Sequence, residues 1–377
     1  MKNYFTKNLI WVVLLILSIL LVTYISISRY RSQSQITKEE LGKLIFFDNS
    51  LSEPPGQSCA TCHRPERGFA DTLGRTISEG AVKNLFNKRN AMAITYTAYI
   101  PPLTLINEDG EESYIGGLFW DGRADSLAHQ AGMPFLDKLE MANTSEEMVV
   151  MKFIKAPYYK KFCKIYGKID LSGSKKEEAI KKIYAQILNA LSRYQASKEV
   201  NPFNSKYDAY IAGKYQMTEN EKKGFELFKG KGLCSQCHIL DIDKLANNVI
   251  FTDFTYDNLG IPKNTDSPFY NLDTSYNPDG KDYVDIGLMA TTKREEDLGK
   301  FRVPTLRNIA KTAPYGHNGY FKDLASIVHF YNVRDVGDEF PPAECLSTVN
   351  KSELGNLGLT ASEERYLIDF MNMLNDN

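Results

Sequence analysis

Two pentapeptides carry the most specific spacing in the chain, Cys59-Ala-Thr-Cys62-His63 and Cys234-Ser-Gln-Cys237-His238. Four of the six cysteines and two of the five histidines stand in them. Cys-x-x-Cys-His is the attachment sequence for a c-type haem: the two thiols add across the vinyl groups of one porphyrin, and the following histidine becomes the proximal ligand of its iron. A zinc site built from two Cys-x-x-Cys pairs competes, but such pairs normally stand about 15–20 residues apart. Here Cys62 and Cys234 are far more distant, and each pair has its own adjacent histidine. Redox-active thiols are the third alternative. The spacing therefore predicts two covalently bound haem c groups, with His63 and His238 as iron ligands. Cys163 and Cys345 are left over, either as a disulfide or as buried thiols.

The elements that must position these loops repeat. Thr37 and Glu40 have capping-box spacing before "LGKLIFF" and the first pentapeptide. Thr218 and Glu221 repeat it before "KKGFELF" and the second, and Thr360 and Glu363 open the last helical stretch. Residues 175–196 form the longest helical pattern in the soluble part. The Asn-Pro and Gly that follow break it and set a domain boundary near residue 200. Residues 241–300, rich in Asp, Asn, Pro and Gly, predict extended loop with few strands. Residues 8–28 are uncharged and mostly apolar, enough as a helix to span a bilayer core of roughly 30 Å. They lead into "RYRSQSQ" rather than an Ala-x-Ala exit, so an uncleaved anchor is favoured over a cleavable signal. The fold class is thus mainly α: two cytochrome c-like haem domains (36–200 and 201–377) behind an N-terminal transmembrane helix and tether (1–35). With 45 basic against 47 acidic residues there is no large field, and nucleic acid is not an implied partner. Haem attachment requires cysteines kept reduced until ligation across the membrane, so the globular part is expected in the periplasm, anchored to the inner membrane.

With two haem motifs in place, "FWDGRADSLAHQAGMPFLDKLEM" and "FRVPTLRNIAKTAPYGHNGYF" become recognisable. Over about residues 36–377 the chain resembles the bacterial di-haem cytochrome c peroxidases, and within them the MauG-like branch. The resemblance implies that the N-terminal haem binds hydrogen peroxide while the C-terminal haem receives and passes on electrons. It implies that Trp120 lies between the porphyrins and that Gln130 and Glu140 stand over the open face of the first. A positioned carboxyl there could take a proton from one peroxide oxygen and deliver it to the other. Asn90, Thr312 and Pro314 match positions that bind calcium between the domains, His317 sits in a segment beside the C-terminal haem, and a homodimer is left open.

Two departures from the peroxidase pattern matter. Many members carry a further histidine that blocks the first iron, whereas residues 64–128 contain none and Val82 stands near its position. Lys83 or Met92 could substitute, but a five-coordinate first haem is the expectation. At the second haem, where the family commonly has a methionine ligand, the resemblance to the MauG-like branch implies Tyr331 in that position, with Met289 as an alternative. His129 is expected to face away from the pocket, and His329 to be an ordinary helix residue. The function expected is reduction of hydrogen peroxide with electrons from a periplasmic cytochrome c or similar donor. A MauG-like oxidase that modifies a protein or small-molecule substrate through high-valent iron, and a non-catalytic electron-transfer protein, are the alternatives.

Overall fold

The computed structural model describes residues 36–71, 75–108 and 110–377, together with Leu15, Leu17 and Leu21. The apolar segment 8–28 otherwise lies outside the described residues, among which no helix is long and apolar enough to cross a membrane.

Helix α1 (Lys38–Phe46) is opened by the expected capping box. The Glu40 N–H donates to Thr37 Oγ1 at 3.1 Å, and the Thr37 N–H donates to Glu40 Oε2 at 2.7 Å. It delivers the chain to a one-turn helix, Cys59–Cys62. Then come α2 (Leu127–Leu136), α3 (Glu146–Phe153), α4 (Tyr159–Tyr166) and α5 (Lys176–Gln195). Helix α5 buries Ile183, Ile187, Ala190, Leu191 and Tyr194 at helical spacing, and α1 packs across this face. Gly42 makes the crossing close, since a Cβ there would overlap the Ala190 carbonyl.

The second half repeats this plan. After α6 (Lys206–Ile211), helix α7 (Glu219–Lys229) is capped by Thr218 and Glu221 and leads into the Cys234–His238 loop. It crosses the closing helix α9 (Ala361–Asn372) at Gly224, where a Cβ would overlap the Tyr366 carbonyl. Helix α8 (Leu324–Val333), which carries Tyr331, packs against α9. One apolar core is built from residues between Leu41 and Val200, another from residues between Tyr207 and Leu374. A smaller cluster joins Tyr96 of the first half to Ile250 and Phe254 of the second.

Sheet is sparse. Residues 241–300 contain only two-residue strands and single helical turns, as their composition predicts. A hairpin not expected from the sequence, β1 (Thr104–Glu108) with β2 (Glu111–Ile115), extends from the first half.

Candidate functional site

Two cavities dominate the interior. The first, about 1240 Å³ of unfilled space partly open to solvent, is lined by Cys59, Cys62, His63, Trp120, Gln130 and Glu140. The second, about 1960 Å³, is lined by Cys234, Cys237, His238, Trp120, His317 and Tyr331. The two Cys-x-x-Cys pairs thus face separate spaces. Among the described residues the only metal-ligand cluster containing any of them is Cys237 with Asp257 and Glu353, so a shared zinc site is ruled out by placement.

Each pentapeptide histidine is held the same way. His63 Nδ1 lies 3.0 Å from the Phe69 carbonyl oxygen, and His238 Nδ1 lies 3.0 Å from that of Phe251. Both phenylalanines have φ near +58°, a conformation rare for a bulky residue, which turns the carbonyl toward the ring. Burial lowers both histidines' pKa, His238 to about 4, so the rings are neutral. With Nδ1 engaged as donor, the Nε2 lone pair is left to meet a metal. Burial also pushes the Cys59, Cys62 and Cys234 thiols up to about 12, so they stay protonated and unreactive as thiolates. Two thiols and a neutral imidazole on the wall of a large cavity suit a covalently attached porphyrin, and this arrangement occurs twice. Cys163 and Cys345 are both free rather than joined in a disulfide.

Trp120 lines both cavities. Its Nε1–H donates to the Asn90 carbonyl at 2.9 Å, and its ring meets Phe301 edge-on at 6.5 Å. The Asp-Gly-Arg turn beside it is part of a buried ion network. Asp121 accepts from Arg89 at 2.7 Å and from Arg123 at 2.8 Å, while Arg89 also grips Asp285 with two bonds of 2.6 and 2.7 Å. The sequence offered no pattern linking Arg89 to Asp285, which lie on opposite halves of the chain.

Glu140 follows α2, in a turn whose N–H groups fold back on Asp137 and Pro134. Its backbone carbonyl accepts from Ala81 N–H at 2.7 Å, and its Oε1 accepts from Asn87 Nδ2 at 2.6 Å. The loop from Ala81 to Asn87 thus holds Glu140 at both its backbone and its side chain. Desolvation, with a smaller contribution from Asp137, lifts the Glu140 pKa to about 7 against the opposing pull of Arg123 and Asn87. Asn87 was missed by sequence reasoning, because a lone Asn in a loop carries no pattern. Within the first cavity's lining His63 is the only histidine; Met92 lines it, whereas Lys83 is exposed and Val82 does not line it.

In the second cavity Tyr331 is enclosed near Cys234, Cys237 and Asp257, with burial as the largest cause of its raised pKa. Met289 does not line this space. His317 is 4% exposed, stacks on Phe301 at 3.7 Å, and has Glu344 Oε2 3.6 Å from its Nε2. Asn90, Thr312 and Pro314 each line the same cavity. The Asn90 Nδ2 donates to Thr76 O at 3.0 Å. His129 is half-exposed and paired with Asp125 at 3.0 Å, outside the first cavity, and His329 lies between Glu364 and Glu339 on the surface.

The model of the family described as di-haem cytochrome c peroxidase matches residues 36–216. The methylamine utilization protein MauG of Paracoccus denitrificans is 37% identical over 300 residues, covering 78% of this chain and 73% of that protein. The cytochrome-c peroxidase IdrP2 of Denitromonas iodatirespirans is 30% identical over 349 residues, covering 89% and 80%. Among solved structures, the diheme peroxidase BthA of Burkholderia thailandensis superposes with a TM-score of 0.74 at 29% identity, covering 91% of this chain and 89% of that one.

Proposed function

This chain belongs to the di-haem cytochrome c peroxidase family, and from that premise we propose that it reduces hydrogen peroxide to two waters with two electrons from a small donor such as a cytochrome c. Two covalent haem c groups would be held by Cys59, Cys62 and His63 and by Cys234, Cys237 and His238. When bound, the first supplies an iron that takes up peroxide, and the second a redox centre that exchanges electrons with the donor.

The observation that carries this reading is the placement of Glu140 and Gln130 on the first cavity's wall, with the carboxyl poised near neutrality. As carboxylate, Glu140 accepts the proton of the peroxide oxygen nearer the metal. It returns that proton to the outer oxygen, so that the outer oxygen leaves as water rather than as hydroxide. Gln130 orients the peroxide through its amide. Asn87 fixes the carboxyl that does the work, and Trp120 spans the wall between the cavities. No histidine other than His63 lines the first cavity, and the Met92 sulfur there faces the Arg302 guanidinium at 3.9 Å, in keeping with a first iron open to peroxide without prior reduction of the second.

Tyr331 is assigned as a ligand of the second haem, and Asn90, Thr312 and Pro314 as a calcium site between two haem domains, 36–200 and 201–377. The periplasm is the assigned compartment, with residues 8–28 as anchor. The test is steady-state turnover of peroxide with reduced cytochrome c by the haem-loaded protein. Activity in the wild type and its loss in Glu140→Gln support the reading; equal turnover in both overturns it. Tyr331 also favours a second reading, oxidation of a protein or small molecule as in a MauG-like enzyme. After stoichiometric peroxide without donor, an oxidised state lasting minutes favours that reading, and prompt decay favours the peroxidase.

A further inference from the structure

Among the described residues Arg89, Arg302 and Arg307 are buried, and they are treated unequally. Arg89 is bound to Asp285 and Asp121, and Arg307 to Asp208 at 2.9 Å. Arg302 is 4% exposed and has no carboxylate within ion-pair distance among the described residues. Its guanidinium reaches only neutral groups over long contacts: the Phe119 carbonyl at 3.3 Å, the Val303 carbonyl at 3.4 Å and the Met92 sulfur at 3.9 Å. Arginine does not shed its proton in a protein, so this is a fixed positive charge inside the molecule. A buried cation without a counter-charge is costly enough that an anion belongs beside it. The position says which anion. Arg302 lines both cavities, and its backbone N–H donates to the Trp120 carbonyl at 2.9 Å, in the wall that separates them.

We propose that Arg302 is the counter-ion of a haem propionate at the wall between the two cavities, where it sets the potential of that haem beside Trp120. The inference rests on the di-haem reading and adds to it a positioning residue outside both Cys-x-x-Cys-His pentapeptides. A porphyrin brings two carboxylates, and a guanidinium fork is shaped to take one bidentately. Pairing neutralises the propionate. Without Arg302 its negative charge stands uncompensated near the iron, which favours the ferric over the ferrous state and lowers the reduction potential. Burial alone depresses the Arg302 pKa, with only Tyr256 opposing, in keeping with a site whose anion arrives with the cofactor.

The test is an optical redox titration of the haem-loaded full chain in wild type, Arg302→Gln and Arg302→Lys, with haem content counted first. Two haems per chain in the wild type establishes the premise separately; fewer would undo the di-haem reading rather than this one. In Arg302→Gln, which retains hydrogen bonding to the Phe119 and Val303 carbonyls, at least one haem should shift about tenfold in its oxidised-to-reduced ratio at fixed potential, or about 59 mV lower. Arg302→Lys should recover at least half of that shift. Unchanged potentials in Arg302→Gln would reduce Arg302 to a structural role and overturn the proposal. A structure of the haem-loaded wild type decides the matter even if the variants fail to load. A propionate oxygen within hydrogen-bond distance of the guanidinium supports the proposal, and none within about 4 Å overturns it.

Discussion

Glu140 is a carboxyl whose protonation is decided by its surroundings, with desolvation the larger force and Asn87 and Arg123 opposing it. Because the base form is needed for the first proton transfer, the rate of reaction with peroxide should rise with pH through about 7. Glu140→Gln should lower that rate about 10²–10⁴-fold, the range for a lost general acid–base, and flatten the profile. Stopped-flow rates between pH 5 and 9 check both. Removing Asn87 takes away a donor that favours the carboxylate. Asn87→Ala should therefore move the inflection to higher pH while keeping an inflection, a change that simple loosening of the loop does not produce. An unmoved inflection would remove Asn87 from the mechanism. Glu140 and Gln130 were legible only through the resemblance, since each alone reads as an ordinary helix or turn residue. Asn87 was not legible at all, and Arg302 stands in "FRVPTLRN" without any role attached to it there: their meaning lies in contacts with Glu140 and with a wall built from distant segments.

At the scale of elements the repeat was open to reading, because caps are local. Thr37, Thr218 and Thr360 each meet the glutamate three residues on, as their spacing requires. What the sequence did not expose is how each Cys-x-x-Cys-His loop is anchored, namely that the helix before it crosses a second helix at a glycine. Gly42→Ala would drive a methyl into the Ala190 carbonyl and Gly224→Ala into that of Tyr366. Each should cost about 1–3 kcal/mol or more through overpacking, seen as a fall in the Tm of the haem-loaded protein, with Ala substitution at exposed Lys182 of α5 as the neutral control. A Tm equal to the control's would mean that the helices separate without penalty. The β1–β2 hairpin was missed although Asp109-Gly110 between two extended runs is a turn signal. Its strands lack the strict alternation of apolar and polar residues that marks a half-buried ribbon, because most of the hairpin faces solvent.

The whole molecule depends on joining two halves whose apolar cores are separate, and a buried ion network is part of that joint. Arg89 and the Trp120 turn belong to the first half and Asp285 to the second, and all three groups of the Asp121–Arg89–Asp285 bridge are buried. Arg89, in contact with Asp285, holds that carboxyl far below the usual range against the opposing effect of burial. A carboxylate whose folded pKa is depressed stabilises the fold fully above its unfolded value, near 3.8. That contribution fades as pH falls below this value toward the folded one. Arg89→Met leaves two carboxylates buried without their cation, and breaking such a pair costs about 3–5 kcal/mol. The Tm of the haem-loaded variant should therefore fall well below wild type at pH 7, with the gap narrowing as acidification protonates the carboxylates that burial raises in the variant, and further below about pH 4 as wild type loses its own contribution. Adding Asp285→Asn to Arg89→Met should recover part of the loss at pH 7, since it removes one of the stranded charges. A gap that stays constant down to acid pH, with no recovery in the double variant, would mean the halves are held by the Tyr96–Ile250–Phe254 cluster and that the ion network is incidental to the joint.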